Sequence, residues 1–427
     1  MSRLEFGSFL APHHPLGEHP TLQFQRDIAF AAQLDRLGFD EFWVGEHHSS
    51  GWETIASPEM FLAAAGQATH NIRLGTGVVS LPYHHPFNVA QRMVQLDHMT
   101  KGRAMFGSGP GALPSDARTL NIEPMVQRDR QDEALGVIRR LLAGEDRFSY
   151  ECEWFTLRDA ALQLLPLQEH MPMTVASSIS PSGMQLAGKY GIGALSIAST
   201  STEGIAALPT QWAFAEEAAA KHGQTVDRKD WRVLMSWHIA ETREQARAEA
   251  VDGLQRWHNE YNVRVLGRPG AEHIDDKWAL MDSITNAGAT GAGAAVVGTP
   301  DDLIAAIRNM REITGGFGVV LGFAHDWANV EASARSWDLV ARYVVPAVNG
   351  YFRPLQASAD YLTQNKAELM AGASAAVMSK ILSHEGAAQA LGVTMAAMAK
   401  QRENGESDTT FRPGAGLADA HKDPADA

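Results

Sequence analysis

The sequence has little of three things that mark large classes of protein: cysteine, long apolar runs and positive charge. Its one cysteine, Cys152, excludes an intrachain disulfide and a thiolate metal cluster. No run reaches the roughly 18 apolar residues that a membrane helix needs. The start, MSRLEFGSFLAPHH, lacks a charged-then-apolar signal segment, so we expect a cytoplasmic location. Lys and Arg number 36 against 50 Asp and Glu, which argues against broad binding to nucleic acid or anionic lipid.

What the sequence has is a regular alternation of strand-like and helix-like segments, which indicates βαβ units and a parallel sheet. Counting residues 294–297 as an accessory strand leaves eight main strands among the 427 residues, and this number favours a closed (β/α)8 TIM barrel of the α/β class over an open sheet. The predicted main strands are residues 4–10, 41–45, 72–81, 103–107, 173–176, 194–197, 231–240 and 317–323.

The remaining segments fall outside the barrel count. We predict a barrel over residues 1–346, with an insertion near its mouth at 241–292. A helical C-terminal extension is expected at 347–400 and a polar, disordered tail at 401–427. Apolar residues of the extension recur at helical spacing and predict a face that packs on the outside of the barrel or on a second subunit.

Histidines dominate the predicted strand ends, where a barrel of this kind carries its active site. They occur at His13 and His14, His47 and His48, His84 and His85, and His325. Three pairs at one mouth suggest a metal, but adjacent residues on a strand point to opposite faces, so each pair offers one ligand. The fifth and sixth strand ends, 177–182 and 196–200, contain no His, Cys, Asp or Glu. The pattern therefore favours a site without metal.

The fifth strand end instead resembles an anion site. Ser180 and Pro181 are an N-cap and a first-turn proline, and Ser177, Ser178 and Ser182 place hydroxyls around the start of a helix, where Gly183 lets backbone approach closely. Small hydroxylated residues at a helix N-terminus suit a phosphate, although an ordinary capped loop has the same pattern. Thr299, which caps a later helix with Pro300 and Asp302, is the rival phosphate site.

Several motifs in order resemble one known family. They are GEHHSS, LGTGVVSLPYHHPFNVAQRMVQLDHMTKGRAMFGSGPG, VASSISPSGMQLAGKYG and the closing TGGFGVVLGFAHDW. Together they resemble the bacterial-luciferase-like, flavin-dependent monooxygenases, nearest to the limonene-monooxygenase-like branch, over residues 3–346.

This resemblance implies a two-component monooxygenase. A separate flavin reductase would supply reduced FMN, which reacts with O2 to give a flavin 4a-hydroperoxide. This peroxide would oxygenate a small apolar, cyclic substrate by epoxidation, hydroxylation or a Baeyer–Villiger step. Members commonly associate, so a homodimer or higher homo-oligomer is expected. The alternative on the same barrel is a deazaflavin-dependent hydride-transfer oxidoreductase.

The resemblance also assigns roles to residues. His47 would be the catalytic residue near the reactive edge of the flavin. The third-strand bulge, often with a cis non-proline peptide, would fall at Gly77 and Val78. The flavin phosphate would lie at Ser178 and Ser182. Where some luciferases carry a reactive Cys followed by an Arg, this sequence has Gly109 and Pro110, so phosphate binding would rest more on serines and backbone.

Aromatic residues near the strand ends are candidates for an apolar substrate pocket. They are Trp43, Trp52, Trp237, Phe323 and Trp327. Each of these side chains could equally belong to the hydrophobic core, as large aromatic residues commonly do.

Overall fold

The computed structural model describes residues 3–11, 13–197, 199, 201–268, 270–285 and 294–403. Its strands are β1 (Glu5–Leu10), β2 (Glu41–Val44), β3 (Arg73–Thr76), β4 (Val79–Ser80), β5 (Ala104–Gly109), β6 (Phe148–Glu151), β7 (Thr156–Ala160), β8 (Met173–Ser177), β9 (Gly193–Ser196), β10 (Trp231–Ile239), β11 (Ala295–Gly298) and β12 (Val319–Ala324).

Helices follow most of the strands and cover the outside of the sheet. They are α1 (Pro20–Leu37), α2 (Pro58–Ala68), α3 (Pro86–Met99), α4 (Pro114–Thr119), α5 (Gln127–Leu142), α6 (Ser182–Tyr190), α7 (Thr202–Lys221), α8 (Arg243–Arg256), α9 (Lys277–Thr285), α10 (Pro300–Thr314), α11 (Val330–Leu339), α12 (Val345–Asn349), α13 (Arg353–Leu382) and α14 (Glu385–Glu403). A π-helical segment, Trp257–Val265, continues α8.

Parallel strand pairing closes the sheet into a barrel. The order β1, β2, β3, β5, β8, β9, β10, β12 returns to β1, because β12 pairs with β1 and β9 pairs with β10. Strand β11 pairs with the second half of β10, from Ser236 to Ile239, and remains an accessory strand. The predicted TIM barrel of eight main strands is therefore confirmed, with one addition: the antiparallel hairpin β6–β7, which the strand pattern did not predict.

The predicted third strand, 72–81, is interrupted at the position where the family resemblance implies a bulge. It forms β3 and the short β4, and the peptide bond between Gly77 and Val78, which separates them, is cis. Strand β3 pairs with β2 and β5, whereas β4 pairs with β5 alone. The interruption places the backbone of residues 77 and 78 at the mouth of the barrel.

A buried ion pair occupies the opposite part of the barrel interior. Glu41 of β2 accepts two hydrogen bonds of 2.8 Å from Arg232 of β10 and one of 2.8 Å from the indole of Trp43. Arg73 also lies 3.0 Å from this carboxylate. Burial raises the pKa of Glu41, but Arg232 and Arg73 outweigh burial and hold it below its usual value. The charges are thus paired where an unpaired one would be costly.

The chain divides into two compact units, Met1–Gly350 and Tyr351–Ala427. The first contains the barrel and the insertion, of which residues 269 and 286–292 lie outside the described residues. The second contains α13 and α14, and helix α13 buries none of its side chains in the single chain. Of the predicted tail, residues 404–427 also lie outside the described part of the chain.

Candidate active site

His47 lies at the mouth of the barrel between two carboxylates. Its Nε2 is 2.8 Å from Glu53 Oε2, and its Nδ1 is 3.1 Å from Asp116 Oδ2. Burial lowers the pKa of His47, but Glu53 and Asp116 outweigh burial and raise it to about 10. His47 is therefore an imidazolium at neutral pH, with a proton on both nitrogens, so it can donate hydrogen bonds but not accept them.

Glu53 connects His47 to two further side chains. It accepts a hydrogen bond of 2.8 Å from His13 Nε2 and another from the hydroxyl of Tyr261. Burial raises the pKa of Glu53, but His13 and His47 hold it well below its usual range. Tyr261 keeps its proton, since burial and then the Glu53 carboxylate raise its pKa. The four side chains form one hydrogen-bonded network built from β1, β2, their loops and the insertion.

The neighbouring histidines belong to other networks. His48 donates to Glu46 at 2.8 Å, and His84 reaches the same oxygen at 2.8 Å. His48 is thus held in a structural hydrogen bond. His14 faces away from His13 and lies 2.9 Å from Asp27 and 2.8 Å from Asp326. Within the described residues, no group of three or more His, Cys, Asp or Glu side chains has an arrangement that could hold a metal ion.

Helix α6 places hydroxyls and backbone amides where an anion could bind. Ser178 is exposed and Ser182 is the first helical residue. The first helical backbone bond runs from Gln185 N to Pro181 O, so the amides of the preceding turn lie outside the helical ladder. With exposed hydroxyls, free amides and the positive end of the helix dipole, these residues fit a phosphate.

Two details at α6 differ from the sequence expectation. The helix begins one residue after Pro181, and Ser180 does not cap it but bonds Ser182, with 2.9 Å between the two Oγ atoms. Gly183 is needed for packing, because a Cβ there would lie 2.4 Å from the carbonyl oxygen of Ala176 and 2.8 Å from Ser177 Cα. A glycine therefore lets the first turn of α6 lie directly on the end of β8.

The rival phosphate site at Thr299 is closed by the chain itself. The predicted cap is confirmed, since Thr299 accepts from the Asp302 amide and Asp302 accepts from both the amide and the hydroxyl of Thr299. The Asp302 carboxylate therefore occupies the positive end of α10, and its negative charge would repel a phosphate. Arg243 pairs with this carboxylate at the surface.

Glycines around Gly77 make room for large side chains. A Cβ on Gly75 would lie 2.4 Å from the ring of Trp43, and one on Gly77 would lie 2.9 Å from Phe9. A Cβ on Gly109, where some luciferases carry Cys, would lie 2.4 Å from Val78 Cγ2. The glycine at 109 therefore lets the Val78 side chain sit against β5.

The aromatic candidates for a pocket separate into two groups. Trp43 is fully buried inside the barrel, where its indole donates a hydrogen bond to Glu41. Trp237 points outward to Trp337 of α11, with 5.0 Å between the ring centroids. Both are core residues, which corrects their assignment to a pocket: alternation along a strand decides which face each side chain takes. Trp52, Phe323 and Trp327 remain candidates: Trp52 and Trp327 are also buried, but Trp52 packs on Tyr261, and Phe323 and Trp327 pack on His325.

Sequence reasoning missed the residues that complete this site. Glu53 lies in the loop after β2, and Asp116 lies in the short helix α4. Trp257 and Tyr261 come from the insertion. The Trp257 ring centroid is 5.9 Å from that of Trp327 and 6.2 Å from that of His13. The one available signal was the four-residue spacing of Trp257 and Tyr261, which places two aromatic side chains on one face of a helix.

No helix among the described residues combines the length and the apolar character that crossing a membrane requires.

The structural neighbours include the FMN complex of the oxygenating constituent of 3,6-diketocamphane monooxygenase from Pseudomonas putida. That structure is 25% identical, with a TM-score of 0.67, and the match covers 81% of this chain and 99% of that chain.

Comparison of sequences points in the same direction. A 4-hydroxyprotoasukamycin monooxygenase of Streptomyces nodosus subsp. asukaensis is 47% identical over 85% of this chain and 97% of its own. The limonene 1,2-monooxygenase of Rhodococcus erythropolis is 46% identical over 82% of this chain and 88% of its own. The profile of the luciferase-like monooxygenases matches residues 4–315, and with the closed barrel and its histidine-lined mouth this shows that the chain is a member of the luciferase-like monooxygenase family.

Proposed function

We propose that this monooxygenase uses reduced FMN, delivered by a separate flavin reductase, and O2 to oxygenate a small, largely apolar, cyclic compound. The observation that carries the proposal is the position of the His47 cation and the amide-lined start of α6 at the same end of one barrel. Reduced FMN supplies the electrons that activate O2. The FMN-bound Pseudomonas relative supports the choice of flavin.

The protein's part would be to hold the flavin and to position a proton. Ser178, Ser182 and the Gly183 amide would bind the phosphate, and the backbone at Gly77 and Val78 would lie against the ring. His47 would release one of its two N–H groups from Glu53 or Asp116 and donate it to the reacting group, while the other carboxylate keeps the ring oriented.

Trp52, Phe323 and Trp327 would line the substrate side of the mouth and exclude water from the reacting atoms. We further propose that the protein acts in the cytoplasm as a homodimer or higher homo-oligomer. The apolar side chains of α13 support association, since Leu355, Leu362 and Leu382 are all more than half exposed in the single chain.

The test is a product screen with the purified protein, a flavin reductase, NADH, FMN and isotope-labelled O2, against a panel of small cyclic alkenes and ketones. Incorporation of one labelled oxygen atom, dependent on FMN, supports the proposal. The deazaflavin alternative predicts the opposite pattern: turnover with reduced deazaflavin in the absence of O2 and no label in the product.

A further inference from the structure

Five aromatic side chains form a closed ring at the mouth, which we name the mouth cluster: His13, Trp257, Trp327, His325 and Phe323. Successive ring centroids are 6.2, 5.9, 3.5, 6.0 and 5.2 Å apart, and the last distance returns from Phe323 to His13. The members come from the ends of β1 and β12 and from the insertion. Such a cluster presents apolar faces to a ligand.

The mouth cluster also contains an unusual number of unsatisfied polar atoms. Among the residues that the structure describes, none bonds Nδ1 of His13, Nε1 of Trp257, Nε1 of Trp327 or either ring nitrogen of His325, although all are buried. A buried polar atom without a partner is costly, and most such atoms in proteins are paired. Several together in one cluster indicate a ligand that supplies their partners.

The chemistry of these atoms defines that ligand. An indole N–H only donates, so Trp257 and Trp327 require an acceptor. Burial lowers the pKa of His325 well below its usual range, so this ring is neutral and offers one N–H. The ionised carboxylate of Glu53, which bonds His13, would repel an anion. The complementary group is therefore an uncharged oxygen such as a carbonyl or a hydroxyl.

Space for a larger molecule adjoins the mouth cluster. His13 and His325 also line a cleft of about 830 Å³ between α1 and α11, which further includes Arg26, Asp326 and Arg256. This volume lies within the range of about 300–1,000 Å³ that encloses drug-sized ligands. A ring held by the mouth cluster would have room to carry a polar substituent.

We propose that the substrate is an oxygenated ring compound whose neutral oxygen accepts hydrogen bonds from Trp257, Trp327 or His325, and not a hydrocarbon. This inference rests on the proposed function, since it specifies the substrate class of that same site. A site shaped only for a terpene hydrocarbon would leave these donors unpaired after the substrate binds, whereas an oxygenated substrate would pair them.

The test compares limonene with carvone, which has the same carbon skeleton plus one carbonyl group. Binding to the full-length protein is followed by tryptophan fluorescence, and product formation is measured separately with reduced FMN and O2. A wholly apolar site would favour the more hydrophobic limonene. We expect carvone to bind about five- to tenfold more tightly, the value of one or two net hydrogen bonds.

Trp327→Phe and Trp257→Phe keep a ring and remove the N–H, and each should reduce this preference about threefold. The control is Trp278→Phe, on α9, whose side chain is exposed to solvent and should leave the preference unchanged. If a variant fails to fold, the wild-type comparison still decides.

Equal or tighter binding of limonene, binding of neither compound, or an unchanged preference in both variants would overturn the inference. If the carvone preference holds but neither compound is oxygenated, the substrate class stands and the proposed function fails. If limonene is oxygenated as efficiently as carvone, the proposed function stands and the substrate class is wrong.

Discussion

Removing the charge of His47 should strongly reduce product formation while leaving FMN binding nearly intact. In His47→Gln the imidazolium proton donor is lost, and the loss of a positioned proton donor reduces product formation by about 10²-fold or more. The residues that we propose to bind the phosphate, at the start of α6, are separate from His47, so FMN affinity should change only a few-fold. The assay is product formed per reduced FMN consumed, with hydrogen peroxide release as the measure of unproductive oxidation.

The same substitution should also destabilise the fold, and the structure gives the magnitude. The pKa of His47 rises from 6.5 to about 10, which at about 1.4 kcal/mol per pKa unit corresponds to roughly 5 kcal/mol of favourable charge interaction. Breaking a buried ion pair typically costs about 3–5 kcal/mol. Because the folded pKa is the higher one, this stability is fully present below pH 6.5 and is lost as the pH rises through about 10.

Two variants separate catalysis from stability. His48→Gln is the matched control, because His48 is also paired with a carboxylate but belongs to the Glu46 network. It should keep most of its activity. In the double variant His47→Gln with Glu53→Gln, the carboxylate that lost its charged His47 partner is replaced by a neutral amide. Urea unfolding should show recovered stability without recovered activity. Full product yield in His47→Gln would refute the role of this residue.

Three further predictions follow from other parts of the structure. Replacing Ser178 and Ser182 together by Ala should weaken FMN binding at least tenfold in a fluorescence titration, since each hydrogen bond to a charged group contributes about 1.5–3 kcal/mol; an unchanged affinity would place the phosphate elsewhere. Deleting residues 357–427 should change the association state or the solubility, and identical sedimentation of the truncated protein would contradict this. Gly109→Ala puts a Cβ against Val78 and should lower both thermal stability and FMN affinity; a protein indistinguishable from wild type would show that Val78 moves freely.

The barrel could be predicted from the sequence because its evidence is local and repeated. Each main strand is a short apolar segment with a helix after it, and the parallel order follows from that alternation. The accessory role of β11 could also be predicted. So could the cap at Thr299, since a capping box is a pattern of four consecutive residues. The residues themselves signalled the break between β3 and β4 only by a pair of glycines, and the family resemblance placed it at Gly77 and Val78.

The partners of His47 were beyond sequence reasoning for a physical reason. Glu53 follows a serine- and glycine-containing loop, and Tyr261 lies 208 residues further along the chain. No periodicity relates them, and only the closed barrel brings the loop after β2 beneath the insertion. The assignment of Trp43 and Trp237 to a pocket failed for a different reason. Both residues follow the strand pattern, but the face that each side chain takes depends on how the barrel closes.

The π-helical insertion is a second link between two parts of the site that already share His13. Trp257 contributes an indole to the mouth cluster, and Tyr261, one turn later, donates to Glu53, which in turn holds His47. A ligand that accepts a hydrogen bond from Trp257 therefore contacts the same segment that orients the proton donor. Because both side chains belong to one helical segment, we expect substitutions in Trp257–Val265 to change specificity and product yield together.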